Sequence, residues 1–266
     1  MLTITSPQNK LIKEIINLQG KSRERKKNKK IIIEGKKELS LAVGAGVEIE
    51  KVLFCPDIIT IDEVKNIIKE QISFTDIYEV SEAVFSKISY RETTGGIVVL
   101  AKMPEKKITD LTINDQSVFI ILESVEKPGN LGAICRVADA AKVDGLIICD
   151  PLTDIYNPNS IRSSLGCVFT VDIISSDFDE TINWLKENKI KSYAAELTAA
   201  EFYQNMNLAG KVALIFGTEA TGLTEKWIKY AEKRIKIPMR GVIDSLNVTT
   251  SVAILVFEAM RQRNFK

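Results

Sequence analysis

Ser117 to Asp150 reads SVFIILESVEKPGNLGAICRVADAAKVDGLIICD, and this stretch decides the fold class. It opens on SVFIILES, an apolar run of strand length. Pro128-Gly129 then breaks the chain in a turn. From Asn130 the segment NLGAICRVADAAKV carries apolar residues at helical spacing. A second apolar run, GLIICD, closes the unit at Asp150. Strand, helix, strand, with both strands apolar throughout, describes parallel strands buried on both faces and joined by a crossover helix.

The alternation continues to the C-terminus. A loop and short helix at 157–165 lead to strand VFTVDII (168–174), helix DETINWLKEN, and strands KSYAAEL and KVALIFG. Helix TEKWIKYAE, strand RIKIPM and a long terminal helix complete it. Residues 117–266 therefore read as a mostly parallel sheet with helices on both faces. Upstream, helix NKLIKEIINL is followed by strand KIIIEG, helix KELSLAVGAG and strand IEKVLFC. Helix TIDEVKNIIKEQ, with Thr60 or Asp62 as its N-cap, strand DIYEVS, helix SEAVFSKIS and strand GGIVVLAKM follow. That makes a smaller α/β module over residues 1–102. Between the two, MPEKKITDLTINDQ (103–116) is polar, contains a proline and keeps no period, so it reads as a linker. A chain of 266 residues has room for two domains of this kind.

Composition narrows the chemistry. Hydrophobic residues make up 45% and charged residues 27%, ordinary for a globular chain with a real core. No apolar run approaches the ~18 residues of a membrane span, and MLTITSPQNKLIKEI lacks a signal-peptide layout. Cys55, Cys135, Cys149 and Cys167 are scattered, with no Cys-x-x-Cys pair, and read as free thiols in a reducing compartment. The cytoplasm is the expected location, without a membrane partner. There is no histidine at all. That excludes a His-activated Ser or Cys nucleophile and a His-ligated metal, and no cysteine spacing offers a Cys-only zinc site. Net charge is +1, yet residues 1–40 carry eleven Lys/Arg against four Glu. The density peaks in KSRERKKNKK at 21–30. Such a run is either a solvated helix face or loop, or a phosphate-contacting patch in which Lys21, Arg23, Arg25, Lys26, Lys27, Lys29 and Lys30 meet nucleic acid.

In a parallel sheet, ligands bind beyond the carboxyl ends of the strands, and three loops there stand out. The first, ESVEKPGNLGAICR, spaces its glycines as Gly129-x-x-Gly132, which is not a dinucleotide fingerprint. Asn130 is either an N-cap or a site residue; Arg136, with Ala133 and Ala140 at i−3 and i+4, is either an ordinary surface Arg paired with Asp139 or Glu126 or has room beside it for something planar or phosphorylated. The second, FGTEATGLTEKW, has Gly217 and Gly222 but Leu-Thr where a phosphate loop needs Lys-Ser/Thr. Glu219 there either complements the following helix N-terminus or meets another loop. The third, IPMRGVIDSLNVT (237–249), puts Ser245 and Asn247 on one side of an extended chain and Leu246 on the other. Capping of the terminal helix explains part of that pattern.

In this order and spacing the three loops resemble the SpoU family of S-adenosylmethionine-dependent RNA 2′-O-ribose methyltransferases, within the SPOUT superfamily. EKPGNLGAICRVADAA, LIFGTEATGL and IPMRGVIDSLNVTTSVAILVFEAMRQR match its three motifs, and the N-terminal part looks like the substrate-binding domain of rRNA-directed members. The resemblance implies a deep trefoil knot in the C-terminal sheet, a homodimer, S-adenosylmethionine as cofactor and RNA, with rRNA favoured, as substrate. It implies no metal. By the same resemblance Asn130, Arg136, Glu219, Ser245 and Asn247 would be catalytic or substrate-positioning, with Leu246 facing the cofactor and Ser245 and Asn247 facing the ribose. Gly217, Ile237 and Leu246, with Phe216 and Met239 beside them, would hold the cofactor. Rival readings are a tRNA-directed enzyme, a non-catalytic RNA-binding or ribosome-assembly factor on the same fold, and a nucleotide-dependent oxidoreductase, which the failed glycine fingerprint opposes.

Overall fold

The computed structural model describes residues 2–90 and 95–265. The chain divides into two compact units, Met1–Glu105 with Asp154–Thr170, and Lys106–Thr153 with Val171–Lys266.

The first unit begins with β1 (Leu2–Ile4), α1 (Lys10–Gly20), α2 (Ser22–Asn28), β2 (Lys30–Glu34) and α3 (Lys36–Gly44). It continues through β3 (Ile49–Phe54), α4 (Ile61–Ile68), β4 (Asp76–Val80), α5 (Glu82–Ile88) and β5 (Ile97–Lys102). The strands form one mixed sheet in the order β1-β4-β3-β5-β2, with β5 antiparallel to both neighbours. α1 starts where the Asn9 side chain accepts the Leu11 N–H (2.8 Å), and its residues Ile12, Ile15 and Leu18 recur on one buried face. α4 starts in a complete capping box between Thr60 and Glu63. β1 escapes a sequence reading because three residues show no periodicity; β4 supplies its hydrogen-bond ladder.

The second unit opens with β6 (Val118–Glu123), α6 (Pro128–Ala141) and β7 (Gly145–Cys149), the unit read from the opening stretch. The chain then forms α7 (Pro158–Ser163) and α8 (Cys167–Thr170), which pack with the first unit, before β8 (Ile173–Ser176) returns to the second. After β8 come α9 (Phe178–Glu187), β9 (Lys191–Ala195), β10 (Glu201–Phe202), β11 (Val212–Phe216), α10 (Glu225–Tyr230), β12 (Lys233–Lys236) and α11 (Val248–Gln262). Seven strands run parallel in the order β10-β12-β9-β11-β6-β7-β8. Every residue of β6, β7 and β11 is buried, as a sheet covered on both faces requires. After β6 the chain moves to one side of the sheet and after β11 to the other, so a crevice opens beyond the carboxyl ends of these two neighbours.

Two expectations need correction. Val168–Thr170 is helical rather than the start of a strand, and β8 begins only at Ile173. Val168 and Phe169 are buried within the first unit, so packing overrides their β-propensity. The polar segment 103–116 is not simply a linker. The division falls between Glu105 and Lys106, and Ile108 and Leu111, 3% and 7% exposed, belong to the core of the second unit.

Candidate active site

The loops after β6 and β11 and the segment before α11 meet at the crevice. α6 is capped at Lys127, with Pro128 in its first turn, so Asn130 lies inside the helix and does not cap it. Its side chain instead donates to Glu219 Oε1 at 3.1 Å. Asn247 caps α11, its Oδ1 accepting the Thr249 N–H at 2.9 Å. The Asn247 amide nitrogen donates to Glu219 Oε1 and, at 3.4 Å, to Asn130 Oδ1. Lys127 donates to the other Glu219 oxygen. One carboxylate thus gathers three donors from two other loops.

The electrostatics follow from this gathering. The hydrogen bond from Lys127, foremost, outweighs the opposing effect of burial and, with the Lys127 charge and the bonds from Asn130 and Asn247, holds the Glu219 carboxyl below the usual carboxylate range. Reciprocally, Glu219 raises the Lys127 ammonium. Glu219 is therefore a fixed anionic anchor, and its charge is already engaged by donors. Lys127 was not singled out in the sequence, because only the fold brings it to a residue 92 positions away.

Glu219 does not serve the N-terminus of α10. Glu123, 3% exposed at the end of β6, does so by accepting the Thr224 N–H at 2.8 Å and its hydroxyl at 2.6 Å. The loop between is closed on itself by reciprocal Thr218 and Gly222 backbone bonds of 3.1 Å. Gly217 is obligatory there: a Cβ would stand 2.1 Å from the Gly222 carbonyl carbon.

Beside this cluster lies a cavity of about 600 Å³, bordered by Phe216, Gly217, Ile237, Met239 and Leu246. Its size suits a small organic ligand. Its walls combine apolar side chains with a glycine backbone that a ligand can approach closely. Glu196 Oε2, buried on the same wall, lies 3.6 Å from Arg234 and accepts no hydrogen bond among the described residues. An apolar cradle with an unused acceptor fits a cofactor bearing hydroxyl or amino groups.

Not every predicted residue joins the cluster. Ser245, Leu246 and Asn247 all border this one cavity, in the irregular segment before α11. The Ser245 hydroxyl donates to the adjacent Asp244 at 2.9 Å and makes no bond to Asn130 or Glu219. Arg136 is exposed on α6, six residues and about 9 Å of helix rise beyond Asn130.

In the basic segment, Lys21, Arg23, Lys26 and Lys27 are exposed. Lys29 pairs with Glu105, and Lys30 pairs with Glu50 at 2.7 Å. Arg25 is the exception and must be withdrawn as an RNA contact. It is 1% exposed, with Nε 2.6 Å from Asp154, and it donates to the Leu18 and Gln19 carbonyls. A guanidinium so enclosed cannot reach a phosphate. No helix of the described residues is long and apolar enough to cross a membrane.

The chain is 27% identical over 257 residues to the 23S rRNA (guanosine(2553)-2′-O)-methyltransferase RlmP of Bacillus subtilis (strain 168), covering 97% of this chain and 98% of that one. A crystal structure of an RNA 2′-O ribose methyltransferase superposes with a TM-score of 0.85 at 34% identity, over 99% of this chain and all of that one. An AdoMet-bound rRNA methyltransferase from Sinorhizobium meliloti superposes with a TM-score of 0.89 at 26% identity, over 97% of each chain. Residues 9–99 match the MRM3-like substrate binding domain. Residues 117–257, which hold the three converging loops and the cavity, match the SpoU rRNA Methylase family, and to that family the chain belongs.

Proposed function

We propose that this protein transfers a methyl group from S-adenosylmethionine to a ribose 2′-hydroxyl of RNA, with large-subunit rRNA as its substrate. The observation that carries this reading is the convergence of Asn130, from the first turn of α6, and Asn247, from the cap of α11, on Glu219, which with Asn247 borders the cavity lined by Phe216, Gly217, Ile237, Met239 and Leu246. Its support also includes the AdoMet-bound structure and the rRNA-directed relative.

Bound in that cavity, the cofactor supplies a methyl group already activated on a sulfonium, so the protein's part is mainly proximity and orientation. Gly217, Ile237 and Leu246 would hold it mainly through main-chain groups, with Phe216 and Met239 as apolar walls. Asn130 and Asn247, locked by Glu219, position the ribose, and Ser245 lines the approach. Arg136 binds the phosphate next to the target ribose and stabilises charge developing on the 2′-oxygen. Exposed Lys21, Arg23, Lys26, Lys27 and Lys29, together with half-buried Lys30, add phosphate contacts that give affinity rather than sequence choice.

The fold carries a deep trefoil knot and works as a cytoplasmic homodimer in this reading. Arg263 supports a chain end drawn into the fold: it is 7% exposed and donates to the Gln116 carbonyl at 2.9 Å. Exposed Val242, Ile243 and Phe257 support a partner surface.

The test is ribose-methylation mapping of total RNA from cells with and without the gene. One mark in large-subunit rRNA should vanish, returning with the wild-type copy and not with Arg136→Ala. An unchanged methylation map, together with purified protein that binds no S-adenosylmethionine, would overturn the proposal.

A further inference from the structure

A second pocket, of about 390 Å³, lies wholly within the first unit, between the start of α3 and helix α7. It is bordered by Glu34, Lys36, Lys37, Glu38, Tyr90 and Arg162. The Arg162 guanidinium carbon stands 4.6 Å from the centre of the Tyr90 ring. Arg162 is held there by its bond to Asn159 Oδ1 at 2.6 Å, and the Asn159 N–H is in turn fixed by the capping side chain of Asn157 at 2.8 Å. The Tyr90 backbone N–H donates to both Glu34 oxygens, at 2.8 and 3.0 Å, yet Tyr90 remains 57% exposed. The segment that carries the ring is thus anchored while the ring itself stays open to solvent.

We infer that this pocket takes one unpaired nucleotide of the RNA substrate, its base stacked against the Tyr90–Arg162 pair. The inference rests on the RNA-directed reading above. An aromatic ring joined to a guanidinium plane is a stacking platform for an unstacked base, and single-stranded RNA is read in this way. The charges agree with a nucleotide better than with a bare anion. Glu34 and Glu38 would repel a free phosphate, but they match the amino and imino donors on the pairing edge of a base. Lys37 is exposed beside them and suits the attached phosphate. Gly35, at φ +105°, keeps this wall open: a Cβ there would stand 2.3 Å from Glu38 Oε2.

The experiment uses the full chain and in vitro transcribed large-subunit rRNA. Binding of rRNA, binding of S-adenosylmethionine and thermal unfolding are measured for wild type, Tyr90→Ala, Tyr90→Phe, Arg162→Ala and Arg162→Lys. Tyr90→Ala and Arg162→Ala should weaken rRNA binding by roughly 5- to 100-fold, the range for losing one stacked base. Tyr90→Phe keeps the ring and should bind like wild type. Arg162→Lys keeps the charge without the plane and should lose most of the affinity. S-adenosylmethionine affinity should not move in any of them. Wild-type rRNA affinity in both alanine variants overturns the inference, and so does a loss that Tyr90→Phe shares. Saturation of the pocket by guanosine monophosphate, with rRNA binding unaffected by either alanine change, would assign it to a free nucleotide and also overturn the inference. A wild-type protein that binds rRNA through this pocket yet methylates none would instead strike the functional reading.

Discussion

Asn247 does two things with one side chain. Its oxygen caps α11 through the Thr249 N–H, and its nitrogen reaches Glu219 and Asn130. The two can be separated by substitution. Asn247→Ala removes both and should lower stability by about 1 kcal/mol, the usual effect of losing a cap. Asn247→Ser keeps a capping oxygen and should unfold in urea within a few tenths of a kcal/mol of wild type. Its methyl transfer should nevertheless fall by roughly 100-fold, because the reacting groups lose their alignment. Near-normal turnover in Asn247→Ser would remove the positioning role. Gly217→Ala should act through the backbone, since its Cβ collides with Gly222. It is expected to lower both the unfolding midpoint and the S-adenosylmethionine affinity measured by calorimetry. At this scale Asn130, Glu219 and Asn247 are legible as polar residues at strand ends. Lys127 and the true partner of Ser245 are not, because neither contact is written in local spacing.

At the scale of the element, α4 offers a titration with a clear sign. A hydrogen bond from Lys36, foremost, and those from Thr60 bring the Glu63 carboxyl down to about 2. A depressed carboxyl stabilises the folded state fully above its ordinary pKa, and that contribution is lost as pH falls through the folded value. Urea midpoints of wild type and Glu63→Gln should therefore differ at pH 7 and converge as pH approaches 2. A constant gap across that range would show that the capping contact, rather than the charge, carries the effect. The capping box itself is readable as Thr60 followed by Glu63. The helix at Cys167–Thr170 is not readable, since a β-branched, aromatic run favours a strand until neighbours in the first unit claim Val168 and Phe169.

For the molecule as a whole, a long-range contact of note is Arg25 with Asp154, 129 residues apart and almost wholly buried. Asp154 opens the segment Asp154–Thr170, which belongs with Arg25 to the first unit. Arg25→Met leaves the Asp154 carboxylate buried without its partner and should destabilise the protein by about 3–5 kcal/mol, read from chemical unfolding. The salt dependence of RNA binding should then be unchanged in folded protein. Joint replacement of exposed Lys26 and Lys27 by Ala should do the reverse, leaving stability in place and flattening that dependence by about 0.7–0.9 log units per lost phosphate contact. The amino-acid sequence by itself determined the alternation of buried strands and helices, the parallel sheet and the three loops at its carboxyl end. These follow from periodicity and chain-breaking residues, which act over a few positions. Only the tertiary structure decided that Arg25 faces inward, that Arg162 stands over Tyr90, and that Lys127 meets Glu219. Each is a contact between residues at least 72 positions apart, and what fixes it is burial and charge in the folded chain.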